Sequence, residues 1–90
     1  MKLKWRSEAL DDLQRIFSFN VAKSDSFAVR VEHRLLEKAQ ALAMTPHLGR
    51  PTDRAGIMRL SVTDIQYVID YRRFEDRVSI FRIRHSREIR

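Results

Sequence analysis

Cysteine is absent from this 90-residue chain, which removes a disulfide framework and any thiolate metal site and leaves the protein indifferent to redox compartment. Only two glycines and two prolines occur. That is too few for a glycine-rich phosphate loop or a dinucleotide-binding turn, and no serine stands in the setting of a nucleophile elbow. No stretch approaches the ~18 consecutive apolar residues of a membrane span. Met1-Lys2-Leu3-Lys4-Trp5-Arg6 carries no apolar run behind its charges, so the expectation is a soluble, intracellular, cytoplasmic protein with no membrane partner.

What remains is hydrophobic residues at 43% of the chain and charged residues at 33%, a balance suited to one compact domain over residues 1–90. A chain of this size buries roughly 60–65% of the surface its unfolded form exposes, so each large core side chain carries weight. The net charge is +6, and it is uneven. From Tyr71 onward, seven arginines (72, 73, 77, 82, 84, 87 and 90) face Glu75, Asp76 and Glu88. Arginine rather than lysine makes up this excess, and a guanidinium fork suits phosphate or carboxylate. A generally basic surface is the alternative.

Leu3-Lys4-Trp5-Arg6 alternates apolar and basic residues, as a short half-buried strand does. Ser7 is placed to cap a helix with Glu8 in its first turn and Asp11 and Asp12 behind it, all favourable near a helix N-terminus. Leu10, Leu13, Ile16, Phe17 and Val21 recur at helical spacing. Lys23-Ser24-Asp25-Ser26 is a brief polar break, and Phe27, Val31, Leu35, Ala39, Leu42 and Ala43 form the stripe of a second helix that Thr45-Pro46 ends. The short break predicts an antiparallel helical hairpin. Residues 47–53 hold one glycine and Pro51 and read as a loop.

After Gly56 the period changes to two. Met58, Leu60 and Val62 alternate with Ile57, Arg59 and Ser61; Tyr67, Ile69 and Tyr71 alternate with Val68, Asp70 and Arg72; Glu75-Asp76 turns into a last strand from Val78 to Arg84. The predicted class is α+β, a β-α-α-β-β-β order with the hairpin on one face of a mainly antiparallel sheet. The other sheet face is left open.

On the last strand, strict alternation places Val78, Ile80, Arg82 and Arg84 on one side and Ser79, Phe81, Ile83 and His85 on the other. Charged groups are not expected beneath the helices, so Phe81 and Ile83 are assigned to the core and Arg82, Arg84 and Arg59 to the open face. Three guanidiniums from two strands would then form a groove for phosphate or carboxylate. The plainer reading is separate surface arginines whose stems cover apolar sheet. His85 is either a structural partner at a strand end or an acid/base group. His33 and His47 are not at metal-ligand spacing with it, so no metal and no cofactor are expected. Asp11-Asp12 is read as serving the helix dipole, and Trp5 as core or rim packing.

The chain resembles the RelE/ParE superfamily of bacterial type II toxins, and more closely its ParE-like, plasmid-stabilisation branch. The resemblance rests on Leu3-Lys4-Trp5 followed by Ala9-Leu10-Asp11-Asp12-Leu13 and Ile16. It continues through Pro46-His47-Leu48-Gly49-Arg50-Pro51, Met58-Arg59-Leu60, Tyr67-Val68-Ile69-Asp70-Tyr71-Arg72 and Val78-Ser79-Ile80-Phe81-Arg82-Ile83-Arg84-His85-Ser86-Arg87, spanning almost the whole length. It implies a toxin neutralised by a ParD-like antitoxin whose acidic C-terminal segment folds on the toxin, with Arg59, Arg82, Arg84 and Arg87 as anionic-partner residues. Operator DNA would be reached only through the antitoxin. The ParE branch implies DNA gyrase as target. The RelE branch implies ribosome-dependent messenger RNA cleavage, with Arg59 and Arg82 stabilising phosphate charge and His85 as acid/base. The loop before Arg59 offers no matching acidic base and no tyrosine follows His85, so gyrase is taken first. A toxin fold retained as a non-toxic co-repressor module is the third reading.

Overall fold

The computed structural model describes residues 1–89; Arg90, counted above among the C-terminal arginines, lies outside them. Strand β1 (Lys2–Trp5) leads into helix α1 (Ser7–Val21) and helix α2 (Asp25–Met44), followed by β2 (Arg50–Pro51), β3 (Met58–Val62), β4 (Tyr67–Arg73) and β5 (Arg77–His85), with a 3-10 turn at Ser86–Glu88. The five strands form one sheet in the order β1-β5-β4-β3-β2. Only β1 runs parallel to its neighbour, pairing Lys2–Trp5 with Arg77–Ile80; the other pairs are antiparallel. The helical hairpin supplies the long crossover that a parallel β1–β5 pair requires.

Both helices exist where their periodicity puts them; the buried seam of α2 follows the expected stripe except at its first position, whereas that of α1 is rotated. On α1 the buried residues are Ala9, Asp12, Ile16 and Asn20, while Leu10 and Val21 are exposed. On α2 they are Ala28, Val31, Leu35, Ala39, Leu42 and Ala43, with Phe27 left on the flank. Small alanines at 9, 28 and 39 admit close backbone approach, and two polar residues occupy seam positions that an apolar count passes over. Ser7 does not cap α1. Arg6 is the N-cap residue and makes no side-chain capping bond, while the Ser7 hydroxyl donates to Glu8. Ser24 does cap α2, accepting from the Phe27 amide at 3.3 Å.

The loop expected at 47–53 contains β2, which pairs Arg50 with Arg59 and Pro51 with Met58. Proline is tolerated there because β2 is an edge strand. Tyr71, fully buried, holds this segment: its hydroxyl donates to the Pro46 carbonyl at 2.7 Å and accepts from the Gly49 amide at 2.9 Å.

Strict alternation fails on β5. Tyr71 pairs with Ile80 and Asp70 with Arg82, so Phe81 has no opposite number and forms a bulge. The extra residue lets Val78 and Ile80 before it, and Ile83 after it, all enter the core under the helices. The expectation that Phe81 and Ile83 share the core face holds for Ile83 alone. Phe81 turns outward, where the guanidinium of Arg6 lies 4.4 Å from its ring centroid.

Candidate functional site: a basic open sheet face

Directly opposed residues share a face of a sheet. The register therefore lays Arg50, Arg59, Asp70 and Arg82 in one row across β2, β3, β4 and β5 on the side away from the helices. A neighbouring row holds Lys4, Ser79 and Arg72, and Arg84 lies opposite Val68. Among these open-face positions Asp70 is the only acid.

That acid organises two of the expected arginines. Asp70 is 4% exposed. It accepts Arg59 Nε at 2.7 Å and Nη2 at 3.0 Å in a fork, and Arg84 Nη2 stands 3.6 Å away. Hydrogen bonding to Asp70, set against burial, raises the Arg59 pKa further above its ordinary value. Arg84 Nε is buried without a hydrogen-bond partner. Two guanidiniums around one carboxylate leave a net positive charge at the centre of the face.

Arg82 behaves differently. β1 covers β5 only as far as Ile80, so the next stretch of β5 has a free edge, and α1 closes it with Asp12. The Asp12 carboxylate accepts the Ile83 amide at 2.9 Å, Arg82 Nε at 2.7 Å and Nη2 at 3.1 Å, and Arg15 at 3.0 Å. Asp12 is thus a sheet-edge partner, not the helix-dipole residue expected from its place in the first turns of α1. Its position three residues after Ala9 and four before Ile16 was the one sign in the sequence that it faces inward.

Burial works against the charged form of Asp12, but Arg82, the Ile83 amide and Arg15 together hold its pKa below the usual carboxylate value. A depressed folded-state pKa adds stability above the unfolded value and withdraws it as pH falls. Urea midpoints are therefore expected to stay level from neutrality downward and to drop below about pH 4, with a shallower acid limb in Asp12→Asn. An identical acid limb in that variant would remove Asp12 from the explanation.

His85 does not join Arg59 and Arg82. It lies opposite Tyr67, whose ring belongs to the helix-side core, and the two rings meet edge-on at 5.2 Å. Its Nδ1 accepts the Arg87 amide at 3.1 Å, and Glu88 accepts the His85 amide at 3.1 Å, closing the 3-10 turn. Arg87 is exposed beyond the strand end. Of the expected site residues, the fold gathers Arg59 and Arg84 at Asp70, adds Arg50 from the unforeseen β2, ties Arg82 to α1, and sets His85 and Arg87 apart. Among the described residues no group of three or more His, Asp or Glu could hold a metal, and no helix is long and apolar enough to cross a membrane.

A β-α-α-β-β-β-β chain with a helical hairpin on one face of a mixed sheet has the fold of RelE/ParE-type toxins. The model of the ParE toxin family of the parDE type II toxin–antitoxin system matches residues 3–90, and the chain belongs to that family. It is 31% identical over 87 residues to the protein named "Putative toxin Y4kP" of Sinorhizobium fredii, covering 97% of this chain and 90% of that one. Among solved structures, the fold is shared with the chromosomal ParDE system of P. aeruginosa, at TM-score 0.84 and 24% identity over 94% of this chain and 95% of that one. It is also shared with the RelBE2 toxin–antitoxin complex of Mycobacterium tuberculosis, at TM-score 0.73 and 21% identity over 93% and 95%.

Proposed function

We propose that this toxin acts by inhibiting DNA gyrase and is neutralised by a ParD-like antitoxin whose acidic segment lies on the open sheet face. Membership of the ParE family supports the choice of target. The observation that carries it is the separation of the would-be nuclease groups. Arg59 is held in a fork by Asp70 and Arg82 in a fork by Asp12, while His85 sits on the helix side of the sheet with Nδ1 engaged by the Arg87 amide. Phosphoryl chemistry requires cations and an acid/base converging on one phosphate, and this arrangement does not converge. Purified protein is expected to inhibit gyrase supercoiling, or trap its cleaved DNA, and to leave ribosome-bound message intact. Ribosome-dependent cleavage lost in Arg82→Ala, with gyrase unaffected, would reverse the reading.

The antitoxin surface is tested separately. Arg50 is exposed on the edge strand and has no carboxylate within ion-pair distance among the described residues. Beside it lies a hollow of about 340 Å³ lined by Leu48, Arg50, Arg59, Leu60 and Ser61. Arg50→Glu is expected to weaken antitoxin binding by roughly tenfold or more, through like-charge repulsion, with the melting temperature nearly unchanged. Unaltered affinity, measured by calorimetry, would place the antitoxin elsewhere.

A further inference from the structure

The far end of the sheet holds a second concavity that the toxin reading does not use. Where the C-terminal half of α1 passes the end of β5, Arg15, Ile16, Phe19, Lys23, Tyr67, His85, Arg87 and Glu88 enclose a hollow of about 330 Å³. A smaller one of about 310 Å³ adjoins it, sharing Phe19, Lys23, Tyr67 and His85. Such volumes sit at the small end of ligand pockets.

The lining has a consistent chemistry. Its floor is apolar and aromatic, from Ile16, Tyr67 and Phe19, and Phe19 is 58% exposed, a large ring with one side uncovered. Its polar groups are donors with one exception, Glu88. Because His85 Nδ1 accepts the Arg87 amide, the proton of the neutral ring resides on Nε2, which has no acceptor among the described residues. The Tyr67 hydroxyl accepts from Asn20 Nδ2 at 3.2 Å and retains its own proton to donate. Lys23 Nζ stands 4.6 Å from the Phe19 centroid, and neither Lys23 nor Arg87 has a carboxylate within ion-pair distance among the described residues. The one acid in the lining, Glu88, accepts the His85 amide and keeps its charge, so that Arg15, Lys23 and Arg87 outnumber it; Asp64, in the adjoining hollow, is held by Arg34. Arg15 is the cation already shared, with Asp12.

An apolar floor under unmatched donors and cations selects a flat, apolar body carrying a negative group. We propose that this hollow binds a small planar anion, an aromatic ring bearing a phosphate or a carboxylate, with the ring against Phe19 and the anionic group toward Arg87, Lys23 and His85 Nε2. Nucleoside monophosphates and aromatic acids share that chemistry and differ in the anionic group.

The test is a titration of the whole toxin, followed by amide shifts of residues 85–88 and by calorimetry, with uridine monophosphate, adenosine monophosphate and 4-hydroxyphenylacetate as probes. Uridine and inorganic phosphate supply the ring and the anion separately. Saturable binding by at least one ring-bearing anion is expected, with uridine and phosphate each at least about tenfold weaker, the factor of one charge-assisted contact. A preference for the monophosphates or for the aromatic acid identifies the source. Arg87→Ala and Phe19→Ala, both at exposed positions, should each weaken binding by a similar factor, while Arg30→Ala on α2 should not. No saturable binding at millimolar ligand, equal binding of phosphate alone, or full binding by the Arg87→Ala and Phe19→Ala proteins would overturn the assignment. None of these readouts depends on gyrase or antitoxin.

Discussion

Replacing Asp12 by alanine is expected to lower the unfolding free energy by about 2–4 kcal/mol, because it leaves the buried Ile83 amide without an acceptor and the Arg82 guanidinium without its partner. In a domain of this size, that corresponds to a fall of roughly 10–25 °C in the melting temperature. Arg82→Glu should be at least as harmful, since it sets a second carboxylate against Asp12, which is 4% exposed. Arg82→Ala should be milder, because its loss leaves Asp12 with the Ile83 amide and Arg15. The Asp12→Ala and Arg82→Ala costs should also be less than additive, as expected for residues sharing one network. Urea denaturation of the unaltered protein, the three single variants and the Asp12→Ala/Arg82→Ala double variant checks this. A stable Arg82→Glu protein would mean that the α1–β5 edge closure contributes little. Alternation alone places Arg82 on the open face as a surface charge, and its fork with Asp12 is the reason that reversing it is costly.

The second large effect concerns Gly49. A methyl group there would come within 2.7 Å of the Arg59 carbonyl oxygen, 2.7 Å of the Tyr71 hydroxyl oxygen and 2.8 Å of Tyr71 Cε1. None of these can yield cheaply. One is strand backbone, and the phenol is fully buried and anchored to the Pro46 carbonyl. Gly49→Ala is therefore expected to cost about 3 kcal/mol, at the upper end of overpacking effects, and to detach β2 from β3. Hydrogen exchange should show faster amides around residues 49–51 and at the facing part of β3. Tyr71→Phe removes the same tie from the other side, leaving the Pro46 carbonyl and the Gly49 amide in want of a partner, for about 1–3 kcal/mol. Because Arg50 rides on β2, both variants should also weaken antitoxin binding. A Gly49→Ala protein with native stability and an intact β2 would show that the loop can shift, and would remove Tyr71 as its anchor.

Much of the architecture was legible in the residues. The change from period 3.6 to period 2 after Gly56 marks the helical hairpin and the strands, and the core positions of β4 (Tyr67, Ile69 and Tyr71) follow from alternation because that strand is regular on its inner face. Arg59 and Arg84 lie on the open face as alternation and the cost of burying charge require. Three features escaped pattern reading. β2 is two residues long and carries a proline, so it has no periodic signal. The bulge at Phe81 inserts one residue, so strict alternation counted from Arg82 and Ile83 holds towards His85 but puts Val78 and Ile80, which lie in the core, on the wrong face. Asp12 and Asn20 are polar residues on a buried seam, and only their distant partners, Arg82 with the Ile83 amide and the Tyr67 hydroxyl, make that placement affordable.

By itself the sequence determined the element order, the class of fold, the excess of guanidinium on the final strands and the family resemblance, because these depend on local periodicity, composition and motif order. Which arginines remain free to meet a partner was decided by the tertiary structure. Asp12 and Asp70 stand 70 and 11 residues from the arginines they engage, and an ion pair depends on distance in space, which the chain establishes only when α1 closes the edge of β5 and β4 pairs with β3.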